Sequence, residues 1–176
     1  MVTLSKHDVV NLYFLRHAIA VEPGEWQGPD EDRPLTKEGI ARMRREARGI
    51  AGLSLELDAI VSSPLLRART TAEIVAERVR LNDAVTLDAR LGAGFTFECL
   101  REIVHDYKNA SALMLVGHEP SFSIVVGSLI GGAAVEMKKA ALAAVSVRDA
   151  ASLDGTLSFL LPPKVLIALG KDRNRR

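Results

Sequence analysis

The chain has 176 residues, of which 48% are hydrophobic and 26% charged, with a formal net charge of +1. That length suffices for one domain with a buried core, and the composition argues against disorder. The near-neutral balance excludes a global field that would draw the protein to nucleic acid or to an anionic membrane, so any anion binding must come from local placement of charge.

A polar lead, residues 1–8 with His7, precedes the apolar run 9–15, which is too short to cross a membrane. Arg16-His17 follows it rather than a small-residue cleavage site, so it reads as a core strand, with a cytoplasmic location as the default. Thr36 can cap a helix whose positions Ile40, Met43, Ala47 and Ile50 share one face. Residues 57–61 form a second strand ending in Ser62-Ser63-Pro64. Ser63 as N-cap and Pro64 as first helical residue then start a helix with Ala68, Ala72, Val75 and Val79 buried. A short strand spans 84–87, and Leu100, Ile103, Val104 and Tyr107 mark an amphipathic helix. Residues 112–116 are a buried strand leading into Gly117-His118-Glu119-Pro120, then a helix with Phe122, Val125, Val126 and Leu129 inward. Two late strands, near 143–147 and 157–161, pair across Asp154-Gly155 as an antiparallel edge. The basic tail 171–176 is expected to fray. The pattern predicts a single α/β domain over 1–176, a three-layer α/β/α sandwich with a mostly parallel central sheet.

In such a sheet, ligands sit beyond the carboxyl ends of the strands. Three predicted strands end in unusual polar residues: Arg16-His17, Ser62-Ser63 with Arg67 a turn later, and His118. If they are parallel, two histidines and two arginines face one crevice. Guanidinium forks match phosphate oxygens, and helix N-termini add donors. A neutral imidazole at His17 can attack phosphorus and leave again, which splits phosphoryl transfer into two steps. The arginines would hold the equatorial oxygens, and a protonated His118 would be a further donor. Ser62 and Ser63 lack a triad-like setting and suit capping or a hydrogen bond to His17. Arg69 shares no helix face with Arg67. His105 reads as solvated and Cys99 as packed, and as the single cysteine it can form no intrachain disulfide. No pair of histidines, or cysteine with histidine, shows zinc-ligand spacing. Trp26 either lines the crevice mouth or anchors its loop.

Leu15-Arg16-His17-Ala18 resembles the arginine–histidine–glycine signature of the histidine phosphatase superfamily, with alanine where glycine is commoner. The segment 62–72 resembles its second motif, 116–120 its second-histidine motif, and 33–39 the lead-in to the first helix. Leu161-Pro162-Pro163 is similar to the end of the short SixA-like phosphohistidine phosphatase branch. The resemblance implies His17 as the phosphorylated nucleophile, Arg16, Arg67 and His118 as the phosphate pocket, and no metal or organic cofactor. Arg33 becomes an additional clamp, although a surface ion pair within Asp30-Glu31-Asp32-Arg33 is the competing reading. Larger members place a carboxylate proton donor before the second histidine. Here the nearest is Glu98, at a helix start where an acid also serves plain dipole chemistry.

A weak or absent acid suits a P–N bond better than a phosphate ester, because imidazole is the weaker base and leaves more easily. The expected substrate is therefore phosphohistidine on a protein, such as a histidine-containing phosphotransfer domain. The alternatives are a small-molecule phosphomonoesterase of the same fold and a non-catalytic phosphoprotein-binding module.

Overall fold

The computed structural model describes residues 9–148 and 152–172. The predicted lead 1–8, with His7, lies outside them, as do residues 173–176 of the tail.

Six strands form one sheet in the order β3-β2-β4-β1-β5-β6. They are β1 (Val10–Arg16), β2 (Ala59–Ser62), β3 (Val85–Leu87), β4 (Ala112–Gly117), β5 (Leu142–Val147) and β6 (Gly155–Leu161). The first four run parallel, while β5 lies antiparallel to β1 and β6 antiparallel to β5. The sheet is thus mostly parallel with an antiparallel edge, as the sequence pattern predicts.

Alternation of side chains splits the core into two layers. Leu12 and Phe14 of β1, with Leu113 and Leu115 of β4, meet the helices α3 (Phe97–Asp106) and α4 (Ser121–Leu129) on one face. Leu15, Met114 and Val116 meet α1 (Lys37–Gly52), α2 (Leu66–Val79) and α5 (Pro163–Asp172) on the other. That is the predicted three-layer sandwich. Thr36 caps α1, its Oγ1 accepting from the Gly39 amide at 2.8 Å, and Met43, Ala47 and Ile50 are buried one turn apart. Thr96 caps α3 in the same way through the Cys99 amide.

Two expectations need correction. Helix α2 begins at Leu66, so Ser63 is not its N-cap and Pro64 is not its first residue. The chain stays extended through Leu65 (φ −59°, ψ 130°), which leaves Ser63 free for the site. The tail does not start at 171 either, because α5 continues to Asp172. Proline is tolerated in the first turn, where its missing N–H has no partner to lose, so Pro162-Pro163 opens a helix rather than closing the fold. Gly49 lets α5 cross α1 closely: a Cβ there would collide with the Leu166 carbonyl.

Candidate active site

The carboxyl ends of β2, β4 and β1 lie side by side. The Ser63 amide donates to the Val116 carbonyl (2.9 Å), and the His17 amide donates to the Gly117 carbonyl (3.0 Å). These bonds bring Ser63, His118 and His17 together from three separate strand ends. Gly117 is required by close approach, since a Cβ would fall 2.6 Å from the ring of Phe122. That ring is wedged edge-on between Phe14 and Phe95.

His17 is 7% exposed and His118 8% exposed, with ring centroids 5.1 Å apart. His17 Nδ1 lies 2.8 Å from the Ala18 carbonyl, which can only accept. The proton therefore sits on Nδ1, and Nε2 keeps its lone pair. Burial pushes the His17 pKa down to about 3; the Ala18 carbonyl opposes this, and His118, Arg67 and Arg16 add to it. Ala18 is itself fixed: its amide donates to Thr71 Oγ1 (3.1 Å), whose hydroxyl donates to the Arg67 carbonyl (2.7 Å).

His118 Nε2 is 2.8 Å from Ser63 Oγ, and that oxygen also accepts from the Leu65 amide at 3.3 Å. Ser63 therefore pairs with His118, not with His17. The other ring nitrogen of His118, Nδ1, is buried with no protein partner. On the sequence alone, His118 is a further donor if it is protonated, and its surroundings oppose that charge. Burial first, then Arg67, lowers its pKa to about 4; Asp30 opposes this, and Arg33 and Arg16 add to it.

Both pocket arginines have donors to spare, Arg67 as a buried residue and Arg16 as a half-buried one. Arg67 is 6% exposed and its Nε has no partner; Arg16 Nε is likewise buried and free. Arg16 Nη1 donates to the Met137 carbonyl (2.8 Å), which anchors it to the chain before β5. Burial lowers the pKa of both guanidiniums. Beside Arg16 opens a cleft of about 650 Å³ lined by Ile19, Arg42, Glu119, Met137 and Pro162, among others.

Arg33 is not a solvated surface residue. Its Nε donates to Asp30 Oδ1 (2.8 Å) and its Nη1 to the Val21 carbonyl (2.6 Å), with little of the side chain exposed. The ion pair that the sequence offered as the competing reading forms, with Arg33 largely buried and Asp30 60% exposed. Trp26 anchors its loop by donating from Nε1 to the Pro29 carbonyl at 2.9 Å. Glu98 stands apart, 64% exposed and paired with Arg101 at 2.6 Å. The charges acting on the two imidazoles are Arg16, Arg67, Arg33 and Asp30. His105 is exposed, Arg69 pairs with Glu73 on the surface, and Cys99 is half-buried. Among the described residues no three histidines, cysteines or acids cluster as metal ligands, and no helix is long and apolar enough to cross a membrane.

Sequence reasoning did not assign three contributors: Asp30, Thr71 and the Met137 carbonyl. The only available sign of Asp30 was its place three residues before Arg33.

The sequence model of the histidine phosphatase superfamily (branch 1) matches residues 12–92, which carry Arg16, His17, Arg33 and Arg67. An uncharacterized protein of Picosynechococcus sp. is 32% identical over 169 residues, covering 90% of this chain and 99% of its own. Phosphohistidine phosphatase SixA of Escherichia coli is 24% identical over 159 residues, 88% of this chain and 94% of its own. The solved structure of the protein histidine phosphatase SixA complexed with tungstate has a TM-score of 0.79 at 24% identity, covering 89% of this chain and 99% of that one. Fold, motif order and these matches agree: the chain belongs to the histidine phosphatase superfamily, branch 1.

Proposed function

We propose that the protein is a metal-independent phosphatase of the cytoplasm that removes a phosphoryl group from phosphohistidine on another protein, with His17 as nucleophile. The observation that carries this reading is the state of His17: buried, neutral and donating from Nδ1 to the Ala18 carbonyl, so that Nε2 is a fixed lone pair among cations.

In the first step His17 Nε2 forms a bond to phosphorus, and the P–N bond to the substrate imidazole breaks. That imidazole keeps the electron pair and departs neutral when its far nitrogen already holds a proton from solvent, so no enzyme acid is required. Phosphorylated His17 retains its Nδ1 proton and becomes cationic, a charge that the Ala18 carbonyl stabilises. In the second step water attacks phosphorus, a P–O bond forms, the P–N bond to His17 breaks, and the water's proton passes to solvent. Arg16 and Arg67, with Nε free on each, hold the non-bridging oxygens as charge spreads in a loose transition state. His118 adds a donor when its proton is on the unpartnered Nδ1, and Arg33 closes the pocket. Glu98 fits the role of first-turn acid on α3, paired with Arg101, better than that of proton donor.

Incubation with a phosphorylated histidine-containing phosphotransfer domain should release inorganic phosphate, and His17→Ala should abolish release while the fold persists. Mass spectrometry at neutral pH should place a trapped, acid-labile phosphoryl group on His17. Turnover of p-nitrophenyl phosphate far above that of the phosphorylated domain would favour the small-molecule reading. Phosphate binding without phosphorylated His17 would mark a binding module instead.

A further inference from the structure

The loop between β1 and α1 carries three consecutive acids, Asp30, Glu31 and Asp32, yet one of them is built into the site. Asp30 divides its carboxylate between two arginines: Oδ1 accepts from Arg33 Nε at 2.8 Å and Oδ2 from Arg67 Nη2 at 3.0 Å. Its main-chain carbonyl also accepts from Arg67 Nη1 at 2.8 Å. The turn presenting it is held from behind, with Trp26 Nε1 and the Asp32 amide both donating to the Pro29 carbonyl and the Arg33 amide to the Asp30 carbonyl.

The geometry points to Asp30 as the positioning residue of the phosphate clamp. It fixes the spacing and orientation of Arg67 and Arg33 before any phosphoryl group arrives. This inference rests on the phosphatase reading above. Two guanidiniums brought together in a half-dry pocket repel each other, and an anion between them offsets that cost in the free enzyme. Once so held, the clamp needs no reorganisation when the transition state forms. The bonding pattern leaves the pocket open to phosphate: Arg67 Nε stays buried and unpartnered, and each of its Nη groups keeps a second hydrogen. Asp30 is not the missing acid, because Arg33 first, and Arg67 as well, hold its carboxyl below the usual carboxylate range. Nor is it a plug, since a plug would consume the donors that phosphate needs.

Asp32 supplies the control. It lies in the same turn and bears the same charge, but it makes no side-chain hydrogen bond or ion pair among the described residues. Asp30→Asn and Asp32→Asn each remove one negative charge near the pocket, and only the first breaks the clamp. Calorimetry with inorganic phosphate, turnover on the phosphorylated domain and thermal melting are measured on both variants and on the unaltered protein.

Asp30→Asn should lower kcat by roughly tenfold or more, with a smaller rise in KM, as expected for a misaligned catalytic cation. It should also bind phosphate about threefold or more weakly than Asp32→Asn, the loss of one aligned charge-assisted contact. Asp32→Asn should turn over like the unaltered protein, and all three should melt within a few degrees of one another. Equal phosphate affinity and equal kcat in the two variants would overturn the assignment. So would tighter binding with faster turnover in Asp30→Asn, which is the signature of a displaced plug. If the unaltered protein hydrolyses nothing, the phosphatase reading fails, while the two phosphate affinities still decide the role of Asp30.

Discussion

Two groups of arginines in this protein are held in opposite ways. Arg90, before α3, is satisfied entirely by neighbours: it donates to Asp88 at 2.6 Å and to Asp106 at 2.7 Å, with Glu102 at 3.5 Å. Those bonds, with Asp88 first, raise its pKa. Arg16 and Arg67, at the strand ends, are more deeply buried, retain unpartnered Nε atoms and have lowered pKa values, burial being the first cause. A cation saturated by carboxylates at the surface contributes little and binds nothing further. A cation kept dry with spare donors costs stability in the free protein, and an incoming anion recovers that cost.

The sharpest way to break this comparison is to truncate one arginine from each group. Arg67→Ala and Arg16→Ala should each lower kcat/KM by about 10²–10³-fold, in line with removal of one preorganised donor to a charge-bearing oxygen. Arg90→Ala, which removes more hydrogen bonds from the protein, should leave turnover within about twofold and cost at most ~1 kcal/mol of stability. Steady-state kinetics on the phosphorylated domain, beside denaturant melts, would check both. An Arg90 variant as impaired as the Arg67 variant would end the distinction.

Much of this site is legible in the sequence, because its parts stand at strand ends. Arg16-His17, Ser62-Ser63 and Gly117-His118 each follow an apolar run, and the parallel sheet does the rest. The antiparallel edge was announced by Asp154-Gly155. What escaped were partners fixed by distance rather than by pattern. Asp30 lies 37 positions from Arg67, and Ser63 is 55 from His118, so no local periodicity connects them. Helix α5 escaped because a proline pair reads as an ending, and because Gly49 and Gly170, which seat it against α1, look like breakers until both helices are in view. The protonation of His118 depends on burial and on three arginines from different elements, none of them adjacent in the chain.

The same comparison predicts the response to acid. His17 and His118 have folded pKa values of about 3 and about 4, below the ordinary 6.5. Between those values and 6.5 the unfolded chain binds more protons, so stability is full above about pH 6.5 and falls as the pH drops towards 4. The loss at pH 4 should be on the order of 2 kcal/mol per ring, less than the full shift implies because a loosened site admits water. His118→Ala should flatten the melting curve's dependence on pH over this range. NMR of the ligand-free protein should show neither imidazole titrating above pH 5. Inorganic phosphate, a counter-anion for both rings, should raise those pKa values and soften the acid loss. A ring titrating near 6.5 without ligand would show that the pocket is wetter than its burial implies.

Unpartnered buried atoms do not always mark a ligand site, and Glu46 of α1 makes the distinction measurable. Its side chain is about 2% exposed, its Oε2 has no partner, and Arg42 stands 3.8 Å away with its own Nε buried and free. A proton is the simpler remedy: burial pushes the carboxyl up to about 7, against the opposing pull of Arg42 and Arg45. Here the folded state binds more protons than the unfolded chain between pH 4.5 and 7, so stability falls as the pH rises through that window, and the full penalty is present above it. Glu46→Gln carries no charge at any of these pH values. It should therefore be more stable than the unaltered protein at pH 8 by about 1–2 kcal/mol, with the advantage gone by pH 5. Activity should not change. If the variant instead lost phosphate affinity, or if its stability gain were the same at pH 5 and pH 8, the unsatisfied carboxylate would belong with the arginines of the pocket rather than with the protonated interior.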